Sequence, residues 1–391
     1  MKTVYRVITN SERATFACEK RWFFRYHEGL TTQSTPAPLR YGSLWHECLA
    51  AWYRSQCKMT VDDIMGAVVR PWKEAREAVI HAREEEHDGI DPDAEDEDAG
   101  MVELIEGMLA GYLSTYALDS EQWEVVAVEC QAARRLGFCD HVMIGDEKVE
   151  RSWLYGGALD LIVRERSTGD LWFMEHKTTR ASDLTQYLHK LHWDPQIRGY
   201  AWIAQQPVIE SDIEPMRLKG VIYNVARKKV PREPELLKSG KALSKSACDT
   251  TREVFMAAII KHGLNPDDYA DQLEKLKGKA FLARERYVFT DPELDAFAVD
   301  VREAAFRIMR AEQGENSTDH PRQVAVCQSP GAGMCPYSNI CIEDGPMARK
   351  SFTVMSIRHA ELKSDFAEEY VGKMRCKDNA SVQQDKDSDP F

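Results

Sequence analysis

The sequence lacks the features that would place it in a membrane or a secretory pathway. Its 391 residues contain no apolar run near the roughly 18 residues that a membrane-spanning helix needs. The first 30 residues carry scattered Arg and Lys and no apolar stretch typical of a signal peptide. We therefore expect a cytoplasmic protein with no membrane partner. Its ten cysteines would stay reduced, which favours metal binding over disulfides.

Positive charge is also scarce, since the formal net charge is −13. Taken over the whole chain, this charge argues against a nucleic-acid partner. However, ten acidic residues lie within residues 84–98, which contain no Lys or Arg, and we interpret them as a solvated, disordered loop. Residues 377–391 carry a further net −2. The rest of the chain is close to neutral, so the net charge does not exclude DNA.

The pattern of apolar residues predicts an α/β fold, in which helices flank a mixed sheet. Strands are predicted near 123–135, 153–166, 171–179, 216–228 and 284–290, and helices near 42–57, 61–83, 100–116, 194–206, 249–262 and 291–313. We divide the chain into an N-terminal segment, a helical insertion, an α/β core, a cysteine-rich segment and a partly disordered tail: residues 1–30, 31–120, 121–313, 314–350 and 351–391.

A predicted hairpin carries a pattern of two acids and a lysine. Asp160 lies in its first strand, and Glu175 and Lys177 lie on one face of its second strand because side chains alternate. The turn at residues 167–170 joins the strands and brings Asp160 close to the other two. Two carboxylates and a lysine among apolar residues indicate a site for Mg²⁺ or Mn²⁺ and a polarised water. A salt bridge on an ordinary hairpin is the alternative.

This pattern resembles the signature of the PD-(D/E)XK nuclease superfamily. Other motifs resemble its RecB-like branch, which includes AddB and CRISPR-associated RecB-like exonucleases. The branch has a Gly-x-x-x-His helix, matched at residues 42–46. It also has a glutamate on the strand before the hairpin that carries the aspartate, and Glu129 matches this position. It also has a Gln-x-x-x-Tyr helix, matched by Gln196 and Tyr200. The resemblance covers about residues 11 to 345 and implies a restriction-endonuclease-like fold.

The resemblance also implies the roles of individual residues. The ligands of Mg²⁺ or Mn²⁺ would be His46, Glu129, Asp160, Glu175 and the backbone carbonyl of His176. Lys177 would position or activate the attacking water, while Gln196 and Tyr200 hold this lysine or contact DNA phosphate. Taken singly, His46, Glu129, Gln196 and Tyr200 also fit ordinary structural roles.

The expected function is phosphodiester hydrolysis by an exonuclease that acts on DNA ends in recombination or repair. An endonuclease, a non-catalytic DNA-binding scaffold subunit and a small-molecule metalloenzyme are the alternatives. By the same resemblance, a helicase or a single-strand annealing protein is an expected partner.

Four cysteines near the two chain ends form a second predicted site. In the RecB-like branch, a cysteine before an aromatic and basic helix joins a C-terminal trio to hold a [4Fe–4S] cluster. The sequence is similar around Cys18 and from Cys335 to Cys341, although seven residues rather than the usual two separate Cys327 from Cys335. The resemblance implies a cluster that joins the chain ends. A Zn²⁺ site and free thiols are the alternatives.

A basic segment follows the predicted Gln/Tyr helix. Residues 217–245 contain nine Lys or Arg and two Glu. Its position beside the predicted active site favours contact with DNA phosphates over a merely solvated loop. The candidate DNA-binding residues are Arg227, Lys228, Lys229 and Arg232.

Overall fold

In the computed structural model, a mixed sheet of six strands lies at the centre of the fold. The structure describes residues 3–32, 36–86, 92–208, 211–246, 248–329, 333–355 and 359, with the backbone alone for 3, 81–86, 92–97, 328–329 and 333. The strands in chain order are β1 (Thr3–Ile8), β2 (Leu30–Thr32), β3 (Trp123–Ile144), β4 (Glu147–Glu165), β5 (Leu171–Thr179), β6 (Gly220–Arg227), β7 (Leu282–Val288), β8 (Gln328–Ser329), β9 (Gly333–Met334) and β10 (Phe352–Val354).

Strand β4 organises the sheet because it has partners on both edges. One edge pairs with antiparallel β3, and the long β3–β4 hairpin extends beyond the predicted strand ends. The other edge is shared between two strands: β1 runs parallel to residues 150–155, and β5 runs antiparallel to residues 161–164. Strand β6 then lies parallel to β5, and β7 completes the sheet antiparallel to β6.

Helices cover both faces of this sheet. In chain order they are α1 (Asn10–Thr15), α2 (Glu19–Trp22), α3 (Ala37–Arg54), α4 (Val61–Ile64), α5 (Arg70–Glu86), α6 (Pro92–Thr115), α7 (Asp119–Gln122), α8 (Leu184–Leu191), α9 (Pro195–Gln205), α10 (Arg252–Lys261), α11 (Ala270–Lys275), α12 (Asp291–Ala311), α13 (Ser338–Ile342) and α14 (Pro346–Arg349).

Two apolar clusters hold these layers to the sheet. On one face, Trp45 and Trp52 of α3 pack with strand residues such as Trp172. On the other face, Tyr200 of α9 and Phe297 of α12 pack in one cluster with the aromatic N-terminal helices. The predicted α/β class, a restriction-endonuclease-like mixed sheet flanked by helices, is therefore confirmed.

Helix starts follow the expected capping chemistry in one case and differ in another. The order Asp194-Pro195 predicts a cap followed by a proline in the first turn, and Asp194 does cap α9, because its Oδ1 accepts the backbone N–H of Gln196 over 2.9 Å. For α12, the sequence predicts Asp291 as the cap, but Thr290 occupies that position and forms a capping box with Glu293. Asp291 instead lies in the first turn, where its charge suits the helix dipole.

The predicted acidic loop at residues 84–98 is wrong over much of its length. Helix α5 continues to Glu86 and α6 begins at Pro92, while residues 87–91 lie outside the described residues. Asp98 is 4% exposed. Its carboxylate pairs with Arg40 over 2.9 Å and with Arg76 over 3.3 Å. Asp98 is buried rather than solvated because two arginines neutralise its charge.

The C-terminal segment packs against the N-terminal segment, which confirms that prediction. Tyr337 donates its hydroxyl to the carbonyl of Leu30 over 2.8 Å, and β10 pairs with β2. The His320 ring stacks on Phe23 at 4.4 Å. Apart from residues 351–355 and His359, the predicted tail lies outside the described residues. Within the described part of the chain, no helix is both long and apolar enough to cross a membrane.

Candidate active site

The predicted acidic residues lie where β4 changes partners. Pairing with β1 ends at Tyr155 and pairing with β5 begins at Leu161, so Asp160 lies in the gap between the two strands. The backbone N–H of His176 donates to Asp160 Oδ2 over 2.9 Å. This bond joins Asp160 to the motif of β5 at the point where the two strands diverge.

Three of the predicted metal ligands converge on this gap. One ligand atom each from His46, Glu129 and Asp160 lies within 4.8 Å of the others, and His46 Nδ1 is 3.3 Å from Asp160 Oδ1. Burial lowers the pKa of His46, but the neighbouring carboxylates, Asp160 foremost, outweigh it and raise the pKa to about 9. One imidazole and two carboxylates form a donor set that suits Mg²⁺ or Mn²⁺.

Glu129 has an unusual backbone conformation at this position. It lies opposite Asp160 on β3, and the residues on either side of it stay paired with β4. Its φ is +51°, in the left-handed region that costs a non-glycine residue about 1–3 kcal/mol. Strain of this kind concentrates at functional sites, and here it accompanies the convergence of Glu129 with His46 and Asp160.

Glu175 is buried beside this group with one oxygen unused. It is 1% exposed, and its Oε1 lies 2.5 Å from Lys177 Nζ. Its Oε2 is buried and has no hydrogen-bond partner among the described residues. Burial and the Asp160 charge raise the pKa of Glu175, against the effect of Lys177. A buried carboxylate oxygen without a partner is costly, and a cation at this position would remove that cost.

Lys177 is held by a relay from helix α9. Its Nζ donates to Gln196 Oε1 over 3.0 Å, and Gln196 Nε2 donates to the hydroxyl of Tyr200 over 2.7 Å. Asp194 Oδ2 lies 3.8 Å from the same Nζ. Although burial lowers the pKa of Lys177, Glu175 and Asp194 raise it above its usual range, so the ammonium is favoured. The sequence identified Asp194 as a helix cap and missed this second role.

The ring of His176 is not one of the three converging metal-ligand side chains, although it lies edge-on to the His46 ring with centroids 6.1 Å apart. Its Nδ1 is 3.0 Å from Asn224 Nδ2, and the ring stacks on Tyr53 at 5.6 Å. Burial, with smaller effects of nearby positive charges, lowers the pKa of His176 to about 3, so the ring is neutral. Because Asn224 and Tyr53 hold the ring, the backbone carbonyl stays the candidate ligand of this residue.

A buried polar cluster behind His176 was not predicted. Tyr53 donates its hydroxyl to Asp119 Oδ2 over 2.7 Å, and Arg284 pairs with Asp119 Oδ1 over 2.7 Å. Asn224 also bonds the hydroxyl of Tyr112. The cluster ties helices α3 and α6 to strands β5, β6 and β7. No local spacing signals it, because its members come from six distant elements.

The four candidate DNA-binding residues lie at and just after the C-terminal end of β6. Strand β6 ends at Arg227, directly beside Thr179 of β5. Arg227 is 8% exposed and pairs with Asp249 over 3.1 Å. The prediction of Arg227 as a surface DNA contact is therefore wrong, because its guanidinium is buried and neutralised.

The three other predicted DNA contacts differ in their partners. Lys229 also pairs with Asp249, over 2.6 Å, and Lys228 donates to the carbonyl of Pro38 over 2.9 Å. Arg232 is exposed. The surface charge of the segment is therefore lower than the sequence indicates, with Arg232 the most accessible of the four.

The predicted cluster cysteines come together from the two chain ends. Cys18 Sγ accepts the backbone N–H of Gln323 over 3.4 Å, and the N–H of Cys335 donates to the carbonyl of Cys327 over 2.8 Å. Burial raises the pKa of the Cys335 thiol, and the nearby thiols of Cys18 and Cys327 contribute. Among the described residues, Cys341 included, no three of these sulfurs lie within 4.8 Å of one another. The sulfurs of a tetrahedral zinc site would be about 3.8 Å apart.

The site combines carboxylates, a histidine and a firmly held lysine at the gap between β1 and β5. In an α/β fold, this combination is typical of metal-dependent nucleases. The chain matches the family model of the PD-(D/E)XK nuclease superfamily over residues 12–342, and it belongs to this superfamily. A comparison with curated proteins finds no match.

Proposed function

We propose that the protein is a metal-dependent deoxyribonuclease of the RecB-like type, acting as an exonuclease on DNA ends in recombination or repair. The convergence of His46, Glu129 and Asp160 beside the clamped Lys177 supports this proposal most strongly. The Gly-x-x-x-His and Gln-x-x-x-Tyr motifs support the RecB-like branch, because both supply side chains to this site. A helicase or an annealing partner stays a prediction.

Each side chain has a role in phosphodiester hydrolysis. A bound Mg²⁺ or Mn²⁺ would supply Lewis-acid stabilisation and a water of lowered pKa. His46, Glu129 and Asp160 would hold the cation, with the unpartnered oxygen of Glu175 as a fourth donor. The ammonium of Lys177 orients the attacking water and stabilises the charge that develops on the phosphate oxygens.

The relay from α9 fixes the lysine for this role. Because Gln196 accepts from Lys177 and donates to Tyr200, the ammonium is held in one place before substrate arrives. Preorganised donors of this kind cost little reorganisation during the reaction. Gln196 and Tyr200 are therefore proposed as residues that position Lys177, rather than as DNA contacts.

Hydrolysis of linear and circular DNA with Mg²⁺ or Mn²⁺ tests this function. We expect Lys177→Ala and Asp160→Ala to abolish hydrolysis. The matched control Lys277→Ala changes a lysine whose side chain is 74% exposed, and it should behave like the wild type. Equal activity in all four proteins would contradict the assignment of the site. Equal cleavage of circles and linear DNA would contradict the exonuclease and favour an endonuclease.

A [4Fe–4S] cluster held by Cys18, Cys327, Cys335 and Cys341 is the second part of the proposal. The contact of Cys18 with Gln323, in the segment that carries the other three cysteines, supports it. Anaerobically purified protein should be brown and contain iron. Cys18→Ser and Cys335→Ser should lose both properties, whereas the exposed Cys139→Ser should keep them. Colourless protein with bound zinc, or with no metal, would overturn this part.

A further inference from the structure

One tryptophan differs from all the others in its exposure. The chain has nine tryptophans, and eight of them are at most 4% exposed. Trp193 is 84% exposed. A single exposed apolar side chain is normal on a protein surface, so the position of Trp193 relative to the active site, rather than its exposure alone, is the basis for inferring a ligand.

Trp193 adjoins the machinery of the active site. It directly precedes Asp194, whose carboxylate lies 3.8 Å from Lys177 Nζ and caps the helix that carries Gln196. Consecutive Cα atoms are about 3.8 Å apart, so the backbone of Trp193 lies within one residue of the lysine clamp. Trp193 therefore adjoins this clamp in the chain, and its side chain is exposed there.

The backbone around Trp193 is firmly anchored. Its N–H donates to the carbonyl of Lys190 over 3.1 Å. On its N-terminal side, the carbonyl of Leu191 accepts the hydroxyl of Tyr223 over 2.5 Å, and His192 Nε2 lies 2.9 Å from Glu285 Oε1. Trp193 is thus presented on a fixed turn, which lowers the entropic cost of binding a flat ligand.

The charge around this turn matches a nucleic acid. Lys190 precedes it on α8 and Arg180 follows β5, and both are exposed. Cationic groups near an exposed aromatic ring are the combination that binds single-stranded nucleic acid, where phosphates contact the cations and bases stack on the ring.

We propose that Trp193 is a stacking platform for a base of the DNA strand that enters the active site, so that the protein binds unpaired or terminal nucleotides in preference to internal duplex. This inference rests on the proposed function and adds a substrate preference to it. Inside a duplex, neighbouring bases cover both faces of each base, so only an unpaired or terminal base can present a face to the indole.

The test is fluorescence titration with single-stranded oligo(dT) in EDTA, which prevents cleavage. Because the eight other tryptophans are buried, quenching by DNA reports mainly on Trp193. Wild-type emission should fall on binding and should become protected from acrylamide. Trp193→Phe should lose this signal but keep affinity within about 3-fold, whereas Trp193→Ala should bind roughly 5- to 100-fold more weakly, as expected for one lost base stack.

A matched control replaces another exposed apolar residue far from the site. Met143, near the tip of the β3–β4 hairpin, is 64% exposed, and Met143→Ala should bind oligo(dT) like the wild type. A closed circular duplex should compete poorly with oligo(dT). Binding by Trp193→Ala as tight as by Met143→Ala would overturn the inference. So would a wild-type dimer that Trp193→Ala dissociates, since Trp193 would then be a contact between copies.

The outcomes separate this inference from the proposed function. Hydrolysis with Mn²⁺ together with normal DNA binding by Trp193→Ala would overturn the platform and leave the nuclease. Trp193-dependent quenching without any hydrolysis would keep the platform and overturn the nuclease.

Discussion

Replacing Gly157 with alanine tests whether the relay that holds Lys177 depends on close packing against β4. A Cβ atom built on Gly157 lies 2.4 Å from Cε1 of Tyr200, and ordinary contacts begin near 3.4 Å. Tyr200 is 6% exposed and packs edge-on against Phe173 at 5.3 Å, so its ring has little room. The added methyl group must therefore move the ring, or the helix that carries it, by about 1 Å.

This displacement has consequences for both stability and chemistry. Overpacking a dense core costs about 1–3 kcal/mol, so the free energy of unfolding should fall by that amount. The hydroxyl of Tyr200 holds Gln196, which holds Lys177, so the ammonium should shift as well. A shift of about 1 Å at a reacting group costs roughly 100-fold in rate. We expect this loss in kcat, with KM changed much less.

Urea denaturation and single-turnover DNA hydrolysis measure the two effects. Gly111→Ala is the matched control, because a Cβ at Gly111 in α6 meets nothing within 4 Å. It should raise the free energy of unfolding by about 0.5–1 kcal/mol through better helix propensity and leave hydrolysis unchanged.

A double-mutant cycle identifies the cause. Tyr200→Leu removes the ring that the new methyl group meets, so the Gly157→Ala/Tyr200→Leu double variant should be more stable than the sum of the single losses predicts. Strict additivity, or an active Gly157→Ala protein of wild-type stability, would refute the reasoning.

Three further predictions concern charged side chains with hydrogen-bond or ion-pair partners. Asp119→Ala should lower the free energy of unfolding, measured in urea, by about 3–5 kcal/mol, because it leaves the Arg284 guanidinium buried without its carboxylate. As a control, Arg217→Ala, which removes an exposed ion pair with Asp291, should change the free energy of unfolding little. Asp98→Asn should lower the free energy of unfolding by about 1–3 kcal/mol in the same assay. No change would instead support the interpretation of this stretch as a solvated loop. Burial opposes ionisation of Glu293, but its hydrogen bonds outweigh burial and lower its pKa to about 2 from 4.5. The wild type should therefore have a higher free energy of unfolding than Glu293→Gln, and this difference should be largest above about pH 5 and decrease as the pH falls towards 2. Urea titrations at several pH values measure the difference.

Much of the site follows from local sequence patterns. Strand alternation and a four-residue turn are enough to predict that Asp160, Glu175 and Lys177 approach one another, because both properties belong to neighbouring residues. Helical spacing likewise predicts that Gln196 and Tyr200 share a face, and the hydrogen bond between them is 2.7 Å. The resemblance supplied His46 and Glu129, which no local rule connects to the hairpin.

Other properties depended on contacts between distant parts of the chain. The basic segment shows nine cationic residues, but Asp249 neutralises both Arg227 and Lys229, so charge counted along the sequence overstates charge at the surface. The interpretation of the acidic stretch as solvated is wrong at Asp98 for the same reason, since its ion-pair partners lie 58 and 22 residues away in the sequence. Burial and ion pairing depend on the folded surroundings of a charge, which sequence neighbours do not reveal.

The sequence by itself determined the class of fold, the family and most residues of the candidate site, since strand and helix periods and motif order are properties of the chain alone. The tertiary structure decided which of these side chains meet. It directed Nδ1 of His176 to Asn224, left one oxygen of Glu175 without a partner among the described residues, and buried eight tryptophans while exposing Trp193. These outcomes follow from close packing across the sheet, where a side chain's neighbours come from distant elements and its exposure depends on what covers it.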